Sequence, residues 1–283
     1  MTKLLLPVMA AGLLLSSCAK DAGKLNDQAS GISSRMAADL LAGSATGNSK
    51  DKIYSGPEVS FKKGKITTLY QVDNMERPVR LAISINNAAW NSLDMAAPGN
   101  SGHDPMNSVI LKFHPKVDAK IFNHAEVDWN PHGHEPEQIY GLPHFDFHFY
   151  NMSVADVEAI PPFDVDPSKF LNVPAPAYLP LFYFNPGGGV PQMGCHWLDG
   201  TSPELNGGIF GQTFIYGTYN GRVTFLEPMI TRAFLEANPA FTRPIPQPAK
   251  VAITGYYPTT LRLQKTDDAY LIILEDFQYR EAS

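Results

Sequence analysis

The sequence predicts a mainly β fold, an antiparallel sandwich or barrel with a few short helices. Three observations point there. Apolar and polar residues alternate over short runs, the period of strands whose successive side chains face opposite ways. The dipeptide Asn220-Gly221 joins two such runs, and both residue types tolerate the positive φ of a type I′ hairpin turn. The chain's 24 prolines and 22 glycines are spread along its length, which suits short strands connected by loops.

In chain order, Lys3 precedes an apolar run over 4–15, followed by Ser16, Ser17 and Cys18. This is the pattern of a secretory leader, and the run is too short for a stable membrane span. Leu15-Ser16-Ser17-Cys18 resembles the cleavage box of bacterial lipoproteins. That resemblance implies cleavage before Cys18, acylation of this cysteine and attachment to a membrane. Ala19 and Lys20, rather than an aspartate, then imply delivery to the outer membrane of a diderm bacterium. With Cys18 lipidated, Cys195 is the one cysteine left, so no intrachain disulfide can form. A lone cysteine here is expected to be a small buried hydrophobe.

Residues 18–52 are rich in Ala, Gly, Ser, Asn and Lys. They read as the lipidated cysteine and a flexible tether, with one short helix at 34–42. Residues 53–283 read as a single β-rich domain. Removal of 1–17 leaves 283 − 17 = 266 residues and takes the net charge from −6 to −7, through loss of Lys3. That length supports a sizeable core. A mildly acidic chain without basic runs excludes nucleic acid as the expected partner and leaves a small molecule or a metal ion.

Strands are expected at 64–72 and 79–85 around the turn 73–78, and where Val109, Leu111 and Phe113 alternate with polar positions. The runs 214–219 and 222–226 flank Asn220-Gly221; 261–264 and 270–277 flank Asp267-Asp268. Short helices are expected at 88–95, 154–160 and 229–237.

The chemistry concentrates between 124 and 148, which holds five of the eight histidines. Imidazole with carboxylate is the ligand set of zinc or iron and the machinery of acid–base chemistry near neutral pH. In one strand His124, Glu126 and Asp128 share a face opposite Ala125, Val127 and Trp129. In the next, His144, Asp146 and His148 share a face opposite Phe145, Phe147 and Phe149. The aromatic faces enter the core; the polar faces meet water or line a cavity. Along a strand, i and i+2 side chains lie about 6.6 Å apart and i and i+4 about 13 Å. A zinc–nitrogen bond is about 2 Å long, so His144 and His148 are not expected to share an ion. The stiff loop Pro131-His132-Gly133-His134-Glu135-Pro136 offers a His-x-His pair. The remote His196, after Gly187-Gly188-Gly189, is preferred over Cys195, which faces the other way in a strand. His103 lies in a polar loop, and His114 closes a strand before Pro115.

The expected ion therefore sits on His134, His148 and His196, with His132 or His144 as a fourth or supporting group. Glu135 or Asp146 is the candidate general base for a metal-bound water. A non-catalytic metal- or ligand-binding protein, and a structural module whose histidines pair with carboxylates, are the alternatives. The pattern is similar in chemistry to cupin and α-carbonic anhydrase metal sites, but its spacings depart from both.

The segments Val127-Asp128-Trp129-Asn130-Pro131-His132-Gly133-His134-Glu135-Pro136, Pro143-His144-Phe145-Asp146-Phe147-His148-Phe149-Tyr150 and Met193-Gly194-Cys195-His196-Trp197 resemble an uncharacterised family of bacterial exported proteins. So do Thr213-Phe214-Ile215-Tyr216-Gly217 and Phe225-Leu226-Glu227-Pro228-Met229-Ile230-Thr231. The family is typified by a sigma-factor-regulated thermophile protein. The resemblance spans roughly residues 60 to 237 and implies a β-rich fold and an envelope role. It implies no activity or ligand.

Overall fold

The computed structural model describes residues 51–95 and 106–283. The leader, Cys18, most of the tether with its 34–42 helix, and His103 lie outside the described residues. Among the described residues sixteen strands follow in order. The first four are β1 (Lys52–Ser55), β2 (Val59–Phe61), β3 (Gly64–Val72) and β4 (Pro78–Asn86). Then come α1 (Asn87–Trp90), β5 (Ser108–Lys112), β6 (His124–Asn130), α2 (Glu137–Tyr140) and β7 (His144–Tyr150). Next are α3 (Val154–Glu158), α4 (Pro167–Leu171), β8 (Tyr183–Phe184), β9 (Cys195–Asp199), β10 (Gln212–Tyr219) and β11 (Arg222–Thr231). The chain continues with α5 (Arg232–Ala237), β12 (Ala240–Pro244), β13 (Gly255–Tyr257), β14 (Thr260–Lys265), β15 (Ala269–Glu275) and β16 (Gln278–Arg280).

Two seven-stranded antiparallel sheets face each other as a sandwich, and neither closes into a barrel. The first runs β1-β3-β4-β15-β14-β12, with β2 on β3; the second runs β5-β6-β7-β11-β10-β9-β8. All seven strands of the second sheet lie between β4 and β12 in sequence. The first sheet is therefore built from the two flanks of the domain and closed by the β4–β15 pairing. Ile66, Leu81, Ile83, Ile272 and Leu274 of one sheet pack against Val127, Trp129, Phe145, Phe147, Phe214 and Ile230 of the other. This shared core takes the aromatic face of β7 and the Ala125–Trp129 face of β6, as their alternation requires.

The β10–β11 hairpin turns on Asn220 and Gly221 at φ 50° and 76°, the two positive values a type I′ turn needs. α1 is shorter than the 88–95 run suggests, and β5 stops at Lys112, one residue before Phe113. The expected helix at 229–237 is corrected. Met229, Ile230 and Thr231 continue β11, and the helix starts at Arg232. Thr231 sets that start, because its hydroxyl accepts the Phe234 amide at 3.1 Å, an N-cap that fixes where helical geometry begins.

On its outer face the second sheet is covered as well. Tyr140, Tyr150, Met193, Leu198, Phe210, Ile215, Phe225 and Met229 form a separate apolar cluster there. Every residue of β6 and β7 is buried, so the polar faces of these strands do not meet bulk water.

Candidate metal centre

Register assembles the site. Antiparallel pairing sets Asp128 opposite Asp146, Glu126 opposite His148 and Asn130 opposite His144. On the other side of β7, the pairs Phe149–Leu226 and Asp146–Met229 bracket His148 and Glu227, which therefore lie abreast. Residues abreast in an antiparallel pair share a face. β9 lies beyond β10, and His196 pairs with Gly217, so its ring reaches back across a position without a side chain. From above, the 131–136 loop lays His134 over the sheet, its amide bonded to the Tyr140 carbonyl at 3.2 Å. These elements floor and wall a cavity of about 580 Å³ whose lining includes Asp128, Asp146, His134, His148, His196 and Glu227.

Two groups with the same composition stand on this floor. His134, His144 and Asp146 form one, His148, His196 and Glu227 the other; within each, one potential ligand atom per residue lies within 4.8 Å of the rest. Both can hold a metal ion. His134 Nε2 is 3.4 Å from Asp146 Oδ2, and His144 Nε2 is 3.1 Å from Asp146 Oδ1. His148 Nε2 is 3.4 Å from Glu227 Oε1, and His196 Nε2 is 3.5 Å from Glu227 Oε2. Charge-assisted hydrogen bonds are shorter, at about 2.7–2.9 Å. Ligands bound at about 2.1 Å around a tetrahedral ion stand about 3.4 Å from one another.

The outer hydrogen bonds orient the rings. His144 Nδ1 lies 2.6 Å from the Leu142 carbonyl, and His134 Nδ1 lies 2.8 Å from the Glu135 carbonyl. A carbonyl only accepts, so each Nδ1 carries a proton, and once Nε2 is free of its own proton its lone pair points into the site. His148 Nδ1 faces Asp128 Oδ2 at 3.3 Å, which places a carboxylate behind the imidazole, and Asp128 in turn accepts from the Ser108 hydroxyl. His144 Nε2, Asp146 Oδ1, both ring nitrogens of His148 and Glu227 Oε2 are buried without a well-formed hydrogen bond.

Burial and charge set the protonation. Burial lowers the His148 pKa, but the Glu227 and Asp128 carboxylates outweigh it and push it up to about 9. Burial likewise opposes the His134 charge, and Asp146 overcomes it, giving about 9. Burial works against ionised Asp146, yet His144 and His134 hold it well below the usual carboxylate range. Glu227 is pushed up to about 8 by burial, with His148 pulling the other way. His196 is driven down to about 3 by burial and then by the His148 charge. The cluster thus holds protons through neutral pH at positions a cation would take.

The histidines are placed unevenly. His134 and His144 meet at Asp146, while His148 and His196 meet at Glu227, so His134 does not join His148 and His196 in one set. His132 is exposed and belongs to neither group. Glu135 is exposed at the cavity wall, whereas Asp146 lies inside, between two histidines. His124 bonds through Nδ1 to the Met152 carbonyl at 3.1 Å and stacks on Tyr150. His114 stacks on Tyr54. Cys195 is 1% exposed, with its thiol 3.3 Å from the Gly188 carbonyl and 3.4 Å from that of Phe170. Burial raises its pKa, which makes it an inert core thiol.

Sequence reasoning missed Glu227. The signal for it is a lone carboxylate in the run Phe225-Leu226-Glu227-Pro228-Met229-Ile230, at the strand parity of Phe225 and Met229. Tyr140 and Tyr150 were missed too; their buried hydroxyls have no hydrogen-bond partner among the described residues.

No family model, no curated protein and no solved structure matches this chain.

Proposed function

We propose that this protein is a cell-envelope metal protein in which two adjacent His₂-carboxylate sites bind zinc or iron(II) and activate water for a small ligand in the cavity. The observation that carries the reading is the set of four imidazole–carboxylate separations, 3.1, 3.4, 3.4 and 3.5 Å. In each set the two imidazoles face different oxygens of one carboxylate. The separations exceed charge-assisted hydrogen bonds and, for the oxygen that would bind, lie near the edge of a ligand tetrahedron, about 3.4 Å. Two histidines and one carboxylate are a ligand set of both catalytic zinc and non-haem iron(II).

Three protein ligands leave a coordination position open, the mark of a catalytic rather than a closed structural site. Because the cavity borders both groups, a water there can be presented to a ligand. The bound ion would supply a water of lowered pKa. Asp146, which His144 and His134 keep ionised, would serve as the anionic ligand of its set rather than as the base. Phe210 lies edge-on to His144 and Phe225 edge-on to His148 and His196, apolar packing that shields these rings from solvent and strengthens the electrostatics around them. Attachment to the outer membrane through lipidated Cys18 belongs to the same proposal and is supported by the leader pattern.

The test is elemental analysis of the mature protein purified without chelator and reconstituted with zinc or iron(II). Two ions per chain are expected, falling to one in His144→Ala and to one in His196→Ala. Absence of stoichiometric metal in the folded wild type overturns the reading. Two tightly held ions with no turnover on a hydrolase and lyase panel would favour a non-catalytic metal-binding protein.

A further inference from the structure

A second cavity, of about 270 Å³, opens where the sandwich core ends. One wall is the core face of the second sheet, with Phe149, Tyr216 and Leu226; the other is the segment before β14, with Val251, Ile253 and Tyr257. Phe149, Tyr216, Leu226, Ile253 and Tyr257 belong to, or pack against, the main core cluster, so the cavity prolongs the apolar interior to the surface. No carboxylate lines it, whereas Arg222 and Lys250 both do.

A third cation stands behind the wall. Arg280 Nη2 donates to the carbonyls of Pro248 and Ala249 at 2.8 and 3.0 Å, and its Nη1 is buried with no partner. Burial raises the pKa of the Tyr216 and Tyr257 hydroxyls, and the Arg280 charge opposes that rise at both. The hydrogen bond to the carbonyl of Pro248, a lining residue, places the guanidinium directly behind the cavity wall. Asp118 acts on Tyr257, and the Ser283 main-chain oxygen accepts from the Tyr178 hydroxyl at 2.8 Å; neither Asp118 nor Ser283 lines the cavity.

An apolar interior with a cationic surround and no lining acid matches one ligand chemistry, an apolar chain ending in a single anion. We propose that this cavity binds a medium-chain fatty acid, tail against Phe149 and Leu226 and carboxylate among Arg222, Lys250 and Arg280. At roughly 30 Å³ per water-sized group, the volume suits a chain of about eight to ten carbons. The desolvated tail supplies affinity, and the cations set the orientation and reject neutral chains. The two cavities share no lining residue, but Phe225 lines this one and packs edge-on against His148 and His196 of the metal centre.

The test is calorimetric titration of the mature protein with hexanoate, octanoate, decanoate and the uncharged octan-1-ol. Each added methylene should raise affinity about fourfold, and octanoate should bind at least tenfold more tightly than octanol. The exposed pair Arg222→Glu and Lys250→Glu should remove that preference while leaving octanol binding unchanged. Leu226→Trp should abolish both; if it fails to fold, Ala252→Trp, from an exposed lining position, takes its place. Equal affinity for octanoate and octanol, retention of octanoate by the filled variant, or no saturable octanoate binding each overturns the proposal.

Discussion

Gly217→Ala tests the site without touching a ligand. A Cβ at Gly217 falls 2.0, 2.1 and 2.2 Å from three carbons of the Phe225 ring. Ordinary carbon contacts need about 3.5 Å, so the ring must retreat by about 1.5 Å. It has little room, being 1% exposed and packed edge-on against His148 at 5.1 Å and His196 at 5.2 Å between centroids. Overpacking of a buried ring costs about 1–3 kcal/mol, and the gain from replacing glycine in a strand offsets roughly 0.5–1 kcal/mol of this. A net loss of about 1–2 kcal/mol is expected in urea unfolding of the chelator-treated protein. Both histidines must follow the ring, while a site tolerates only about 0.5 Å of misplacement. Metal affinity at the Glu227 group should therefore fall about tenfold or more, a loss typical of altered support around ligands. Phe225→Leu in the same chain should restore most of both, with a coupling of at least about 1 kcal/mol in the double-mutant cycle. If Gly217→Ala leaves stability and metal affinity unchanged, or if Phe225→Leu gives no rescue, the packing of Phe225 does not position the histidines.

Metal binding should release protons. His148 and His134 titrate near 9 in the metal-free protein, so an ion arriving at pH 7 displaces them. Affinity should rise with pH from 7 to 9, and calorimetry in buffers of different ionisation enthalpy should count about one proton at the Asp146 set and more than one at the Glu227 set, where the carboxyl is itself raised to about 8. The same shifts act on the metal-free fold with opposite sign. Each histidine's pKa is raised above its ordinary 6.5, so its stabilisation is complete below about 6.5 and is lost as pH climbs through 9. Unfolding midpoints that stay flat across that window would contradict both statements. In the first sheet, Glu275 serves two buried arginines, Arg80 at 2.8 Å and Arg262 at 3.1 Å. Glu275→Gln should cost about 3–5 kcal/mol in denaturant midpoint while leaving metal content per folded chain unchanged; a loss under about 1 kcal/mol would show that the carboxylate is not what holds them.

Much of this fold was legible because alternation is a local signal. The paired faces of β6 and β7, the turn at Asn220-Gly221 and the hairpin through Asp267-Asp268 follow from residue types a few positions apart. What was not legible depends on distant pairing. Glu227 is the clearest case. Pro228 lacks an N–H and argues against an interior strand position, so the run looked finished at Leu226. In the structure β11 passes straight through it. The β7–β11 ladder has pairs at Leu226 and Met229 and none at Glu227 or Pro228, so the missing donor sits where that ladder is interrupted. The single-ion grouping of His134, His148 and His196 departs from the observed arrangement for a related reason. Sequence distance measures reach along a strand, whereas ligands also meet across strands.

That difference decides how a site can be built on a sheet. Along β7, successive residues of one face stand about 6.6 Å apart, while residues abreast on neighbouring strands have Cβ atoms about 4.5–5.5 Å apart. His148 finds its carboxylates across the two ladders, Asp128 at 3.3 Å on one side and Glu227 at 3.4 Å on the other, rather than in Asp146 two residues back. Asp146 is left to His144 and to His134 descending from the loop. One strand thus feeds two ligand sets, split where its own spacing is too long for one ion. Had these histidines merely been tied to carboxylates for stability, the low dielectric of the cavity would favour closing their contacts to about 2.8 Å. They stay 3.1–3.5 Å apart, with buried nitrogens and oxygens unsatisfied at a cost of about 1–3 kcal/mol each. A divalent cation at the centre of each set would satisfy those atoms together, which is why the unfavourable ledger of the metal-free cluster itself argues for the ion.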